Sequence, residues 1–260
     1  MHIWSLTAVT HYNYHPRTFL ARQTEAFLQQ HHFIDKHTLA SASNMRFAKA
    51  SAAAALAALP AAFAQTSTDC DPTKKSCPAD TGLPSSAYTA DFTQGSSANA
   101  SWSAAAYTTI NYGQNGAEFT ISGKNQAPTV QTDFYIFFGR IDVKMKAAPG
   151  QGIISSIVLE SDDLDEIDWE FIGSNTQKVE TNFFGKGNTT SYDRAIYYDV
   201  QTPQNTFHTY TIDWNADRLE FIIDGTTVRT LAYTDPLTNG GNNYPQVSEQ
   251  SLLLSSRSIY

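Results

Sequence analysis

The sequence predicts an all-β fold, an antiparallel sandwich built from many short strands. From Tyr88 to Leu231 no long stretch has the period of an amphipathic helix. Short runs rich in β-branched and aromatic residues recur there between glycine and proline turn signals, and Asp224-Gly225 has the composition of a tight hairpin turn. Short strands at this spacing are typical of sandwiches and barrels.

The size and charge of the chain limit the classes of function. Of its 260 residues, 41% are hydrophobic and 12% aromatic, which is enough to bury one sizeable core. The net charge is −8 at pH 7, and the acidic excess lies after residue 64. Such a domain is a poor electrostatic partner for nucleic acid or an anionic membrane. We therefore expect no nucleic-acid partner and favour a neutral ligand such as a polysaccharide. We also expect a monomer.

The first 64 residues differ from the rest of the chain. Residues 1–44 have no clear period, and we expect them to be disordered. A basic segment that begins at Met45 is followed by an apolar run and by Ala62-Phe63-Ala64, which is the pattern of a secretory signal peptide over residues 45–64. A mitochondrial transit peptide is the alternative. Because a signal peptide normally begins a chain, we expect residues 1–44 to be a non-native extension.

Residues 65–87 are predicted to form an extended lead-in to a domain of residues 88–246. Cys70 and Cys77 are the only cysteines, and two cysteines this close in a secreted chain favour one disulfide. No histidine accompanies them at the spacing of a zinc site, so we expect no metal. Asn99 and Asn188 begin Asn-x-Ser/Thr sequons, where a secreted chain can carry N-linked glycans.

An acidic stretch runs from Ser161 to Glu170, and its second half alternates with the period of a β-strand. Glu166, Asp168 and Glu170 fall on one strand face, and the apolar residues between them fall on the other. Like charges on one face repel, so strand stability does not explain them. The arrangement therefore indicates chemistry, although an acidic solvated strand edge or a calcium loop remains an alternative.

The spacing of the outer two carboxylates suits a retaining glycosidase. The Cα atoms of Glu166 and Glu170 should lie ~13 Å apart in a strand. Side chains that lean toward each other can bring their carboxyl groups to the ~5–5.5 Å separation of such an enzyme. Asp168 between them can hydrogen-bond one carboxyl and separate the two pKa values. Spacing alone leaves open which glutamate is the nucleophile.

A family resemblance covers most of this region. Glu166-Ile167-Asp168-Trp169-Glu170 resembles the E-x-D-x-E active-site strand of glycoside hydrolase family 16, and the stretch that begins at Ser161 resembles the fungal Crh-type cell-wall transglycosylases. The resemblance continues through Phe138 to Val143, Thr181 to Gly187 and Phe207 to Trp214. It implies a concanavalin-A-like β-jelly-roll sandwich with a concave substrate-binding sheet, and it implies no cofactor.

The resemblance also implies roles for individual residues. Glu166 would be the nucleophile, Glu170 the general acid and then the general base, and Asp168 the residue that orients the pair. Residues expected from the resemblance to bind substrate are Asn182, Phe184, Asp193, Arg194 and Trp214, and Gln151 is a further candidate because it lies in a loop flanked by glycines. The residues themselves leave alternatives: Phe184 suits sheet packing nearly as well, Asp193 and Arg194 suit a surface ion pair, and Trp214 suits the core equally well.

Three functions remain open. A retaining transglycosylase would join chitin to β-glucan in a fungal wall, and a retaining endo-β-glucanase or chitinase-type hydrolase would use the same residues with water as acceptor. A carbohydrate-binding module would have the fold without turnover. The intact carboxylates favour the two enzymes, which differ in cleft shape and water exclusion. In each case we expect a protein secreted to the cell wall, where many relatives carry a lipid anchor.

The resemblance ends after Gln246. In the family the next strand brings a tryptophan and a glycine-rich loop to the cleft, and Val247 to Tyr260 do not match it. We therefore expect residues 247–260 to be an aberrant, disordered tail translated from an intron, and residues 88–246 to be an incomplete domain. A missing central strand would leave backbone groups unpaired and apolar side chains exposed, so this hypothesis predicts an aggregation-prone, inactive chain.

Overall fold

The computed structural model describes residues 1–9, 68–105, 108–123, 126–246 and 250–258. Over these ranges the protein consists of β-strands and two short 3₁₀ helices, Phe92–Asn99 and Pro236–Thr238. The strands are β1 (His2–Val9), β2 (Ala87–Asp91), β3 (Trp102–Ala104), β4 (Ile110–Gly113), β5 (Gly116–Phe119), β6 (Thr129–Thr132), β7 (Gly139–Lys146), β8 (Ile153–Ser161), β9 (Glu166–Ile172), β10 (Lys178–Phe184), β11 (Ile196–Asp199), β12 (His208–Trp214), β13 (Arg218–Ile223), β14 (Thr226–Ala232) and β15 (Gln250–Ser258). None of the helices in the described ranges is long and apolar enough to cross a membrane.

The strands form two antiparallel sheets. The first sheet has the order β14-β13-β12-β7-β1-β5-β4, with β2 paired to β1. The second sheet has the order β11-β10-β9-β8-β15-β6-β3. Strands distant in sequence therefore lie side by side, as in a sandwich with long crossover connections. The all-β sandwich that the sequence predicts is confirmed.

The core lies between the two sheets, where alternate residues of each strand meet. In β7, Ile141, Val143 and Met145 are buried, and the residues between them are partly exposed. Trp169 of β9 packs across the interface, with its ring centroid 5.5 Å from that of Tyr210 and 5.1 Å from that of Phe221. Trp169 therefore belongs to the core, as its strand position predicts, and its contacts hold β9 against the first sheet.

Two local predictions are also confirmed. Cys70 and Cys77 form a disulfide in the segment that precedes β2. Asp224-Gly225 connects β13 to β14, with φ angles of 49° and 82°, and a turn with two positive φ angles suits the twist of a hairpin.

The prediction that residues 1–44 are disordered is wrong for residues 1–9. They form β1, which pairs with β7 on one side and with β2 and β5 on the other. Ile3, Leu6 and Ala8 are buried in the core. The register shifts between Ile3 and Ser5, so the buried residues are spaced by three and then by two, and this bulge hides the strand period. Residues 10–44 and the predicted signal peptide at 45–64 lie outside the described residues.

The prediction of an aberrant, disordered tail is wrong for residues 250–258. They form β15, which lies between β8 and β6 and pairs with β8 over nine residues, from Gln250 to Ser258. Leu252 and Leu254 alternate into the core. The central strand expected to be missing is therefore present, and the predicted aggregation and inactivity lose their basis. Residues 247–249, 259 and 260 lie outside the described residues.

Candidate active site

The outward face of β9 carries the three predicted carboxylates. Glu166 and Glu170 are partly buried, and Asp168 between them is 2% exposed. Their strand neighbours Ile167, Trp169 and Phe171 point into the core. The alternation that the sequence predicts is thus confirmed. It produces a row of carboxylates on one face of β9, and the large apolar side chains on the other face fix the strand to the core.

The two strands that flank β9 place further side chains in this row. Residues directly opposite each other in an antiparallel pair lie on the same face. The opposed residues from β10 and β8 are Glu180 and Ser156 beside Glu170, Asn182 and Val158 beside Asp168, and Phe184 and Glu160 beside Glu166. Five carboxylates therefore share one face. Sequence reasoning missed Glu160 and Glu180, although Glu180 follows the same period-two pattern as Asn182 and Phe184.

The environment of Asp168 favours its neutral form. Burial raises its pKa well above the usual range, the nearby carboxylates of Glu166, Glu170 and Glu180 raise it further, and Arg229 opposes the change. Neither of its carboxyl oxygens has a hydrogen-bond partner among the described residues. A protonated Asp168 can donate a hydrogen bond to an ionised glutamate next to it on the strand face.

The surroundings of Glu170 raise its pKa, although they act in both directions. Burial raises its pKa, the positive charge of Arg257 opposes this, and the charge of Glu180 adds to it. An Nη2 atom of Arg257 lies 3.2 Å from Glu170 Oε1, and the hydroxyl of Ser156 donates to the same oxygen over 3.4 Å. A carboxyl with a raised pKa is better suited to protonate a leaving group than an ordinary glutamate.

The first part of the acidic stretch is structural. Asp165 is fully buried in the turn between β8 and β9. Its Oδ1 accepts a hydrogen bond from the backbone of Lys186 over 2.9 Å, and its Oδ2 accepts one from the backbone of Gln246 over 2.8 Å. Next to Lys186, a Cβ on Gly185 would lie 2.4 Å from the Cα of Asn243, so only glycine fits there. Asp165 thus ties the loop after β10 and the segment before β15 to the end of the carboxylate row.

Several residues predicted to bind substrate lie near this row but are buried. Asn182 and Phe184 lie on the carboxylate face, as expected. Arg194 is only 1% exposed, its guanidinium lies 4.7 Å from the ring centroid of Phe184, and it donates to the backbone oxygens of Asn188 and Ser191. Arg194 therefore holds the loop after β10 against Phe184, and the expected surface contact with sugar is not available to it. Asp193 beside it is exposed.

The prediction that Trp214 binds substrate is wrong. It lies on β12 of the first sheet and is 0% exposed. Its ring contacts those of Phe137 and Phe138, and its Nε1 donates to the backbone oxygen of Pro245 over 2.7 Å. The polar residues on either side of Trp214 do not determine which sheet the strand joins. The period of β12 turns Trp214 inward together with Tyr210.

Gln151 and the two sequon asparagines lie away from the row or are already engaged. Gln151 is exposed in the turn between β7 and β8, where Gly150 bonds to Gly173 beyond the end of β9. The side-chain amide of Asn99 donates a hydrogen bond to the hydroxyl of Tyr112. The side-chain amide of Asn188 donates one to Oδ1 of Asn243. Both sequons stay predictions.

Comparison with known proteins places these features in a family. Residues 94–257 match the family described as Glycosyl hydrolases family 16. The chain is 54% identical over 198 residues to Crh-like protein 5 of Aspergillus fumigatus, covering 76% of this chain and 49% of that protein. It is also 54% identical over 184 residues to Crh-like protein 2 of Botryotinia fuckeliana, covering 70% and 40%. The chain thus spans about half the length, or less, of these relatives.

Solved structures agree with the sandwich. A structure of the Crh5 transglycosylase in complex with NAG is similar over 73% of this chain and 76% of that one, with a TM-score of 0.68 and 52% identity. A Bacillus licheniformis beta-glucanase is similar over 61% of this chain and 79% of that one, with a TM-score of 0.51 and 20% identity, which supports the jelly-roll fold alone. The family match spans the carboxylate row on β9 and nearly all of β15, and the chain therefore belongs to glycosyl hydrolase family 16.

Proposed function

We propose that the protein transfers glycosyl units between cell-wall polysaccharides with retention of configuration, joining chitin to β-glucan through a covalent glycosyl-enzyme. The observation that carries this proposal is the arrangement on β9, where two partly buried glutamates flank the buried carboxyl of Asp168 on one strand face. This is the residue set that a double displacement at a sugar carbon requires. The chemistry needs no cofactor.

The three carboxyls have different tasks in the proposed reaction. Ionised Glu166 attacks the anomeric carbon while Glu170 gives its proton to the departing glycosidic oxygen, which leaves a glycosyl ester on Glu166. Glu170 then takes a proton from an acceptor hydroxyl, and that oxygen displaces Glu166. The raised pKa of Glu170, caused first by its burial, suits the first step. Because burial raises the pKa of Asp168 well above its usual range, a protonated Asp168 can donate a hydrogen bond to Glu166 during the reaction.

The choice of acceptor and donor rests on the relatives. The Crh5 structure is named a transglycosylase and contains NAG, the sugar unit of chitin, which favours a chitin-type donor and a sugar acceptor. Hydrolysis would use the same carboxyls with water. The predicted signal peptide at residues 45–64 and the sequons at Asn99 and Asn188 support secretion of the protein to the cell wall.

A mixed-substrate assay tests this function. The purified protein is incubated with a chitin oligomer and a fluorescent β-1,3-glucan oligomer, with Glu166→Gln as control. We expect labelled products longer than the added glucan that require the chitin oligomer and are absent with the variant. Shortened oligomers without mixed products would indicate a hydrolase. Binding without any new product would indicate a carbohydrate-binding module.

A further inference from the structure

Glu170 lies between two charged groups of opposite sign that come from strands other than its own. Glu180 approaches from β10 and Arg257 from β15. We propose that Glu180 and Arg257 are positioning residues that set, in opposite directions, how firmly Glu170 holds its proton. The inference rests on the proposed function for its consequence in catalysis, because the same carboxyl must first give up a proton and later take one back.

The negative side of this arrangement is Glu180. It lies directly opposite Glu170 in the β9–β10 register and is 7% exposed, so water screens its charge little. Tyr197 of the edge strand β11 lies opposite Glu180 in turn. Burial and a hydrogen bond to Glu180 both raise the pKa of Tyr197, so the phenol stays protonated beside the carboxylate. Tyr197, Glu180 and Glu170 thus form one cross-strand row.

The positive side is Arg257. Its guanidinium reaches across β8, and Nη2 lies 3.2 Å from Glu170 Oε1, with the arginine side chain 34% and the glutamate side chain 12% exposed. The strand that carries Arg257 is β15, which the sequence alone did not reveal. An opposite charge at this distance favours the ionised carboxylate, and a like charge favours the protonated acid. Glu180 and Arg257 therefore oppose each other at one carboxyl.

The other groups that face Glu170 do not duplicate these two. Ser156 on β8 is neutral and donates a hydrogen bond over 3.4 Å, and Tyr197 on β11 is a phenol. Asp168 and Glu166 lie on β9 itself, and Asp168 is held toward its neutral form by burial. Both Glu180 and Arg257 can be altered while β9 keeps its sequence.

The direct test is a pH titration of Glu170 monitored by NMR, in protein labelled with ¹³C at the glutamate carboxyls. The Glu170 signal is assigned as the one that is missing in Glu170→Gln. We expect Glu180→Gln to move the midpoint of Glu170 to lower pH and Arg257→Gln to move it to higher pH. Arg257→Lys should restore a midpoint near that of the unaltered protein. The basic limb of the pH profile of kcat/KM should move in the same direction as each midpoint, which a merely structural role would not produce.

A matched pair of controls lies in the first sheet. Arg218 and Glu220 form an ion pair of 3.0 Å on β13, and Arg218→Gln and Glu220→Gln should leave the Glu170 midpoint unchanged. Midpoints that stay fixed in both test variants, or that move in the same direction, would overturn the inference. Opposite shifts without any glycosyl product would support it and would count only against the proposed function.

Discussion

Glu166 and Glu170 have the same side chain on the same strand face, yet their surroundings differ. Glu170 faces Glu180 and Ser156 across the sheet and Arg257 over β8, whereas Glu166 faces Phe184 and Glu160. Environments that push the pKa values of two carboxyl groups apart allow one to act as an acid and the other as an anion. The family resemblance assigns the acid role to Glu170, and the structure shows that its surroundings differ from those of Glu166.

Glu166→Gln should abolish turnover and leave the fold intact. The amide keeps the size of the side chain but cannot form the glycosyl ester, so we expect product formation to fall by about 10⁴-fold or more. The rate of mixed-product formation measures the loss, and a thermal unfolding curve like that of the unaltered protein excludes misfolding. Normal activity would remove Glu166 from the nucleophile role.

At the level of residues, the local sequence pattern predicted the carboxylates of β9 and missed the charged residues that other strands place beside them. The alternation of Glu166, Asp168 and Glu170 is a property of one strand, so the sequence contains it. Glu180 and Arg257 reach Glu170 through strand register, which depends on how separate segments pair. Trp214 was placed wrongly for the same reason, because its strand pairs within the first sheet.

At the level of elements, most strands in the middle of the chain follow from alternation and turn residues, whereas the strands near the two ends do not. In β1 a register shift after Ile3 breaks the period. In β15, the apolar run Leu252-Leu253-Leu254 is short and flanked by polar residues, so the sequence does not mark it as a core strand. The buried amide of Gln250 and hydroxyl of Ser256 have no hydrogen-bond partner among the described residues, so β15 is an imperfect central strand.

The contribution of β15 can be measured with neighbouring leucines. Leu254 is 0% exposed in the core, and Leu253 is partly exposed on the opposite face. Leu254→Ala should lower the free energy of unfolding by about 2–5 kcal/mol, because it leaves a cavity. Leu253→Ala is the matched control and should cost clearly less. Equal, small costs in urea denaturation would mean that residues 250–258 do not pack as β15.

For the molecule as a whole, the buried carboxyls couple folding to pH. Burial and, to a smaller extent, the charge of Asp162 together raise the pKa of Glu160 from 4.5 to about 7. Between these pH values the folded protein binds more protons than the unfolded chain. The contribution of Glu160 to stability is therefore fully present below about pH 4.5 and is lost as pH rises to about 7. Asp168 and Glu170 act in the same direction.

Glu160→Gln should remove one part of this pH dependence. The amide does not ionise, so we expect the variant to be more stable than the unaltered protein at pH 8 by on the order of 1–3 kcal/mol. Urea denaturation at pH 5 and pH 8 measures the difference. Glu220→Gln in the first sheet serves as the control. A Glu160→Gln variant that loses as much stability between the two pH values as the unaltered protein would contradict the prediction.

The sandwich as a whole was predictable because it depends on many strands, and two missed strands do not change the fold class. Which residues meet across the sheets depends on pairings distant in sequence, such as that of β15 with β8. The residues of the site that lie on β9 could therefore be predicted from the sequence. The residues that other strands contribute could not, because their positions depend on the sheet topology.

The most direct test of the central claim is to trap the glycosyl-enzyme. Glu170→Gln removes the acid, so a donor with an activated leaving group should still react in the first step, while the second step lacks its base. Mass spectrometry of the intact variant should then detect one added glycosyl unit, and peptide mapping should locate it on Glu166. The absence of an adduct, or an adduct on another residue, would contradict retaining transfer through Glu166.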